Sequence, residues 1–106
     1  MEPFTKRVIE IIKNIPEGKV MTYGQIARMA GSPRGARQVV RILHSMTQKY
    51  HLPWYRVINA KGEIGVKDGE LKSMQRFHLE SEGVKFIDGD IIDLTIYQHH
   101  PDIFSL

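Results

Sequence analysis

The sequence predicts a mainly α-helical domain with small β-hairpins, organised around a helix-turn-helix of winged-helix-like type. Two apolar-periodic segments flank a glycine turn, Ile26 to Ala30 before it and Ala36 to Leu43 after it, which is the helix-turn-helix plan. The second segment carries a basic stripe opposite its apolar one. Later in the chain, Asn59-Ala60-Lys61-Gly62 and Asp88-Gly89-Asp90 each separate short runs rich in Val and Ile, the pattern of small hairpins.

The elements follow in order. Phe4, Val8, Ile11, Ile12 and Ile15 recur at helical spacing until Pro16-Glu17-Gly18-Lys19 breaks the pattern, which predicts a first amphipathic helix. Thr22 and Gln25 form a capping-box pair, in which each side chain can serve the other's backbone amide. A short second helix starts there, buries Ile26, Ala27 and Ala30, and stops at Gly31. Ser32-Pro33 reads as a cap followed by proline at the first helical position, so the third helix is expected from Pro33 to about Met46, with Ala36, Val39, Val40 and Leu43 inward.

Thr47 to Leu52 is expected as a polar loop. Val57-Ile58 and Glu63 to Val66 are expected to pair as a hairpin across Asn59 to Gly62. Beyond a loop at Lys67 to Glu70, Leu71, Met74, Phe77 and Leu79 sit on a fourth helix ending at Gly83. Val84 to Ile87 and Ile91 to Leu94 predict the last hairpin. Residues 95–106 show no pattern and are set apart as a C-terminal tail from a single domain over residues 1–94.

Composition narrows the function. A chain of 106 residues, 42% of them hydrophobic, suits one domain with a modest core. It contains no cysteine, which excludes disulfides, thiolate metal sites and every cysteine-nucleophile mechanism. His99-His100 lacks the spacing and further ligands of a metal site, so no metal and no cofactor is expected. With no membrane-length apolar run and no leader-like start, the protein is expected to be soluble and cytoplasmic, nucleoid-associated in a prokaryote, with no membrane partner.

Net charge is +3, but its placement says more than its size. Arg28, Arg34, Arg37, Arg41 and Lys49, with His44, occupy a stretch without a single acid, while Glu80, Glu82, Asp88, Asp90 and Asp93 lie elsewhere. That gives one electropositive face suited to phosphates. Arg34, Arg37, Arg41 and His44, spaced by three, four and three, fall on one stripe of the third helix, opposite its apolar side. The stripe marks that helix as the DNA-contacting element.

From about Phe4 to about Val84 the chain resembles the C-terminal domain of the O6-alkylguanine-DNA alkyltransferases. Those enzymes dock a helix-turn-helix in the minor groove, flip the damaged guanine and transfer its alkyl group to the cysteine of Pro-Cys-His-Arg-Val. The corresponding residues here are Pro53-Trp54-Tyr55-Arg56-Val57. Tyr23, after Thr22, resembles the tyrosine that crowds the target nucleotide's 3′ phosphate. Arg37, fourteen residues later and seventeen before Trp54, resembles the arginine finger that fills the vacated stack. Gly31 and Pro33 resemble the turn before the recognition helix, and Gly62, Gly65 and Glu82-Gly83 follow the family's tail.

The departures carry the functional reading. The family's relay is cysteine, histidine and glutamate; here Trp54 and Tyr55 replace the first two, only Glu82 remains, and Met46 stands where the family has an asparagine. An indole is no nucleophile, and a phenol titrating near 10 is a poor substitute for imidazole. The pattern is similar to the alkyltransferase-like proteins, which bind alkylated guanine without repairing it and in bacteria are linked to nucleotide excision repair.

The resemblance therefore implies a non-enzymatic sensor, working as a monomer, whose partners are double-stranded DNA containing O6-alkylguanine and nucleotide excision repair proteins. It implies a lesion pocket of Tyr23, Trp54 and Tyr55, with Lys67 on the loop that closes over the base. DNA contacts fall to Thr22, Tyr23, Arg34, Arg37, Gln38 and Arg41, and structural support to Arg56 and Glu82. Two other readings stay open from the residues alone: a helix-turn-helix regulator of undamaged DNA, and a glycosylase-type enzyme acting on a flipped base.

Overall fold

Proline costs nothing in the first turn of a helix, and Pro3 opens α1 (Pro3–Lys13) in the computed structural model, which describes residues 1–101. Phe4, Val8, Ile9 and Ile12 form its buried side; Ile11, expected inward, is only half-buried, and Ile9 takes its place. The chain then turns through Pro16 to Lys19 into β1 (Met21–Thr22).

The capping box at α2 (Tyr23–Met29) is present. Thr22 Oγ1 accepts from the Gln25 amide at 3.1 Å, and Gln25 Oε1 accepts from the Thr22 amide at 3.2 Å. Gly31 adopts φ +99°, a left-handed conformation open to glycine, and ends the helix region. The next helix does not begin at Pro33. Ser32 to Gly35 form a turn closed by Gly35 N–H to Ser32 O at 2.8 Å, and α3 spans Ala36–Tyr50. Gly35 is tightly enclosed: a Cβ there would lie 3.0 Å from the Phe4 ring, so the chain passes against α1 before the helix can start.

The polar stretch from Thr47 is helix, not loop. Met46 and Tyr50, one turn apart, rest against the core while Gln48 and Lys49 are exposed, so polarity marked the outer face and not an end. His51, at φ 54° and ψ 46°, closes α3.

A short 3₁₀ turn (Trp54–Arg56) leads into β2 (Val57–Ile58), which pairs in parallel with β1, Met21 opposite Val57 and Thr22 opposite Ile58. This replaces the hairpin expected across Asn59 to Gly62. The turn itself exists, with Asn59 Oδ1 accepting from the Lys61 and Glu63 amides. The chain leaving it joins the last hairpin instead, through Ile64 N–H to Asp90 O and Ile92 N–H to Gly62 O.

Asp68 caps α4 (Gly69–Ser81) by accepting from the Glu70 and Leu71 amides. Its buried residues are Gln75 and Leu79, while Leu71, Met74 and Phe77 are exposed. Gln75 tolerates burial because its amide nitrogen bonds the Tyr55 and Val57 carbonyls. The antiparallel pair β3 (Phe86–Asp88) and β4 (Ile91–Ile92) forms the expected last hairpin.

The segment expected to be an unpatterned tail is folded as far as it is described. Asp93 caps α5 (Leu94–Tyr97), Val20 N–H donates to Tyr97 O at 2.9 Å, and His99 N–H donates to Val20 O at 2.7 Å. Gln25 Nε2 also donates to His99 O. Four helical residues are too few to show a period, and each of these ties uses the tail's backbone, which carries no side-chain signal. The rest of that tail lies outside the described residues.

Two apolar clusters result. One joins α1, α2, α3, Leu52 and Val57; the other joins Val20, Ile58, Ile64, Leu79, Val84 and Ile92. Successive strand residues face opposite ways. Val57 and Ile58 therefore anchor β2 in both clusters at once, fixing the Trp54–Arg56 turn immediately before it.

Candidate nucleic-acid interface and pocket

The outer face of α3 presents Arg37, Gln38, Arg41 and His44 to solvent. Arg34 is exposed beside them but stands in the turn before the helix, off the expected stripe. Among the described residues the ion pairs are Arg56–Glu82, Lys72–Asp90 and Arg76–Glu80. The guanidiniums of Arg28, Arg34, Arg37 and Arg41 thus have no carboxylate partner there, which leaves their charge available to phosphate. Thr22 does not belong to this exposed face: it is buried and its hydroxyl caps α2.

Beside that face opens a cleft of about 270 Å³. Tyr23 comes from the start of α2; Val40, Leu43, His44 and Thr47 from α3; Trp54 from the 3₁₀ turn; Val66 from the following loop; Leu71 and Gln75 from α4. Its lining is chiefly apolar, and its size suits a single flat group more than an extended ligand. Tyr23 and Trp54 thus share one cavity although 31 positions separate them in sequence. Burial raises the Tyr23 phenol above its ordinary value, so it remains a neutral hydrogen-bond donor through the physiological range.

Tyr55 and Lys67 do not line this cleft. The Tyr55 ring lies flat on His78, with centroids 4.3 Å apart and planes 12° from parallel, and the Arg56 guanidinium carbon lies over the Tyr55 ring, 5.4 Å from its centroid. Trp54 meets both rings edge-on, at 5.9 Å from Tyr55 and 6.3 Å from His78. Tyr55 therefore forms part of the wall behind the indole, in a second groove with Lys13, His51 and His78. Lys67 is exposed, while its neighbour Val66 borders the cleft.

Behind the aromatic wall lies a charged network. Arg56 Nε donates to both Glu82 oxygens at 3.0 and 3.1 Å, and Nη1 donates to Ile15 O at 2.9 Å. Glu82 Oε1 also accepts from the Gly18 amide at 2.9 Å. Burial alone would raise the Glu82 carboxyl, but the Arg56 hydrogen bonds, the Gly18 amide and the Arg56 charge hold it below the ordinary range. For Tyr55, burial comes first and raises the phenol; Arg56 opposes this and Glu82 adds to it.

Sequence reasoning missed several of these residues. Val40 was placed inward by its period yet is 47% exposed and lines the cleft. Gln75 and His78 were not singled out. A glutamine on a helix carries no signal of its own, and the stack of His78 on Tyr55 joins residues 23 positions apart.

Comparison with known proteins adds independent findings. The family model described as 6-O-methylguanine DNA methyltransferase, DNA binding domain, matches residues 3–84. A DNA base-flipping protein of Vibrio parahaemolyticus is 41% identical over 101 residues, covering 95% of this chain and 100% of that protein. Alkyltransferase-like protein 1 of Schizosaccharomyces pombe is 43% identical over 88 residues, 80% of each chain. The crystal structure of S. pombe Atl1 in complex with damaged DNA containing O6-carboxymethylguanine matches with a TM-score of 0.85 at 37% identity, covering 95% of this chain and 98% of that one.

Proposed function

The chain belongs to the alkyltransferase-like family, within the 6-O-methylguanine DNA methyltransferase DNA-binding domain, and on that premise we propose that it is a non-catalytic sensor of O6-alkylguanine in DNA. The observation that carries this reading is the cleft shared by Tyr23 and Trp54, opening beside arginines that have no carboxylate partner among the described residues, in a chain with no cysteine.

In this reading α3 docks in the minor groove and Arg37 enters the stack as the damaged nucleotide rotates out. Tyr23 stands at the cleft to favour that rotation, and the flipped base rests against the Trp54 indole. Weakened pairing lowers the cost of extruding a damaged base by up to a few kcal/mol, so flipping itself favours the lesion. The apolar lining from Val40, Leu43, Val66 and Leu71 receives the alkyl group.

No step of alkyl transfer follows. Trp54 offers no electron pair to attack the alkyl carbon, Tyr55 is held against His78 as a neutral phenol, and Glu82 is engaged by Arg56. The product is a stable complex, and its role is to mark the site for nucleotide excision repair. Arg34 and Arg41 supply sequence-independent phosphate contacts, and Lys67 belongs to the rim loop, not to the pocket floor.

Binding to matched duplexes with guanine or O6-methylguanine at one position, at one salt concentration, tests the reading. A clear preference for the lesion, with the alkyl group still on the base after recovery, is the expected result. Equal affinities would end the sensor reading, and an alkylated protein or a released base would end the non-catalytic one.

A further inference from the structure

We infer that Gln98 positions Tyr23 for nucleotide rotation, by fixing from the C-terminal segment the helix start that carries it; the inference rests on the proposed lesion-binding function. Tyr97 to His99 lie beyond residues 3–84, the stretch matched by the DNA-binding domain model. Their ties nevertheless converge on Val20 and Gln25, three residues before Tyr23 and two after it.

Gln25 is the centre of the arrangement. It is 7% exposed, and two backbone groups fix the orientation of its amide: Oε1 accepts from the Thr22 N–H at 3.2 Å and Nε2 donates to His99 O at 2.6 Å. Gln98 Nε2 donates to the same Oε1 at 2.9 Å. One oxygen thus closes the capping box of α2 and is held from outside it. Val20 adds a second tie, pairing in parallel with Gln98 through Tyr97 O and the His99 N–H, while Met21 and Thr22 pair with Val57 and Ile58 of β2. The chain entering Tyr23 is therefore bonded first to the C-terminal segment and then to the strand that follows the Trp54 turn.

A side chain can crowd a phosphate only if the backbone behind it does not yield. Rotating a nucleotide out of the stack is uphill, and the opposing load falls on Tyr23, the first residue of a seven-residue helix. So short a helix resists little by itself, and the ties at Val20 and Gln25 join its start to the rest of the domain. Gln98 reaches Gln25 side chain to side chain, so this contact can be removed while the backbone pairing stays. Arg37 and Arg41, on α3, take no part in these ties, so docking and rotation respond separately.

The test titrates labelled duplexes carrying guanine or O6-methylguanine at one position, at fixed salt, with anisotropy as the readout. Gln98→Met keeps the side chain's length without its donor, Gln98→Glu sets a carboxylate against Gln25 Oε1, and Gln98→Lys restores a donor. The Met and Glu variants should bind O6-methylguanine about fivefold more weakly, the size of one net hydrogen bond, and guanine as the wild type does. Gln98→Lys should keep the wild-type ratio between the two duplexes. In a Tyr23→Ala background Gln98→Met should cause no further loss, because the two residues act as one unit.

Wild-type lesion affinity in the Met and Glu variants overturns the inference, and so does an equal weakening towards both duplexes. A Gln98→Lys variant that loses as much as Gln98→Met shows that the donor is not what matters. A Gln98→Met loss that recurs in full beside Tyr23→Ala shows that Gln98 does not act through Tyr23. A failure of the underlying function looks different: the wild-type protein would bind O6-methylguanine no better than guanine.

Discussion

Arg56 and Glu82 form a forked ion pair, with Arg56 Nη2 2.5 Å from Glu82 Oε2 and Nε bonded to both oxygens; their side chains are only 14% and 9% exposed. Through Ile15 O and the Gly18 amide the pair ties the turn that follows α1 to the end of α4, next to the Trp54 turn that contains Arg56. Truncating one partner strands the other charge in a buried site, which costs about 3–5 kcal/mol. Glu82→Ala should lower unfolding stability by that order in urea titrations. A loss within the few tenths of a kcal/mol typical of a surface change would mean the pair does not hold the fold.

Stability should also fall in acid, and two groups set the windows. Glu82 sits below its unfolded value of about 4.3, so its contribution is complete above that pH and is lost as pH falls through the lower folded value. His99 is depressed by burial first and then by the charges of His100 and Lys19. Its contribution is complete above the unfolded value of about 6.5 and is lost on acidification below it. Chemical denaturation across pH should show an early decline below about pH 6.5 that His99→Gln removes, and a later one that Glu82→Gln removes. A flat profile through both windows would contradict these environments.

Gly62 tests the join between the first turn and the last hairpin. It holds φ +76°, and a Cβ there would lie 2.6 Å from Ile92 O, the backbone of the strand to which its own carbonyl is bonded. Gly62→Ala therefore meets both a strained backbone and a steric clash, with a cost of at least about 1 kcal/mol expected. An unchanged melting temperature would show that the join can shift freely.

The local devices were legible in the sequence because each is written in neighbouring residues: the Thr22–Gln25 box, the left-handed Gly31 and Gly83, the Asp88-Gly89-Asp90 turn. What could not be read is what tertiary contact decides. Gly35 had to pass the Phe4 ring before α3 could start, and β2 found its partner in β1 and not in the next segment. Within the site, Tyr23 and Trp54 were found as a pair through the family pattern. The same pattern placed Tyr55 with them, but the stack on His78 draws its ring to the far side of the indole.

Arg37 and Arg41 should separate finger from footprint. Both are exposed and lack carboxylate partners among the described residues, so either loss weakens DNA binding electrostatically. Arg41→Ala should weaken lesion and undamaged DNA by similar factors and reduce the salt slope by about one. Arg37→Ala should reduce the lesion preference itself, by at least about tenfold in titrations followed by Trp54 fluorescence. A uniform effect from both variants would place Arg37 among the phosphate contacts and not in the stack.

Trp54→Cys asks whether chemistry was lost with one side chain or with a set. A thiol without help is only a few per cent thiolate at neutral pH, and the family's relay needs a base beside it. Here the neighbouring position holds Tyr55, whose phenol is raised by burial, and Glu82, the retained carboxylate, is forked by Arg56. The nearby His78 has its face covered by Tyr55. Trp54→Cys alone should therefore transfer methyl groups from O6-methylguanine DNA no faster than an exposed thiol does, as followed by mass spectrometry of the protein. The double variant Trp54→Cys with Tyr55→His restores an imidazole next to the thiol and should raise transfer above that background. Rapid transfer by the single variant would show that the cleft needs no relay, and that Trp54 alone separates binding from repair.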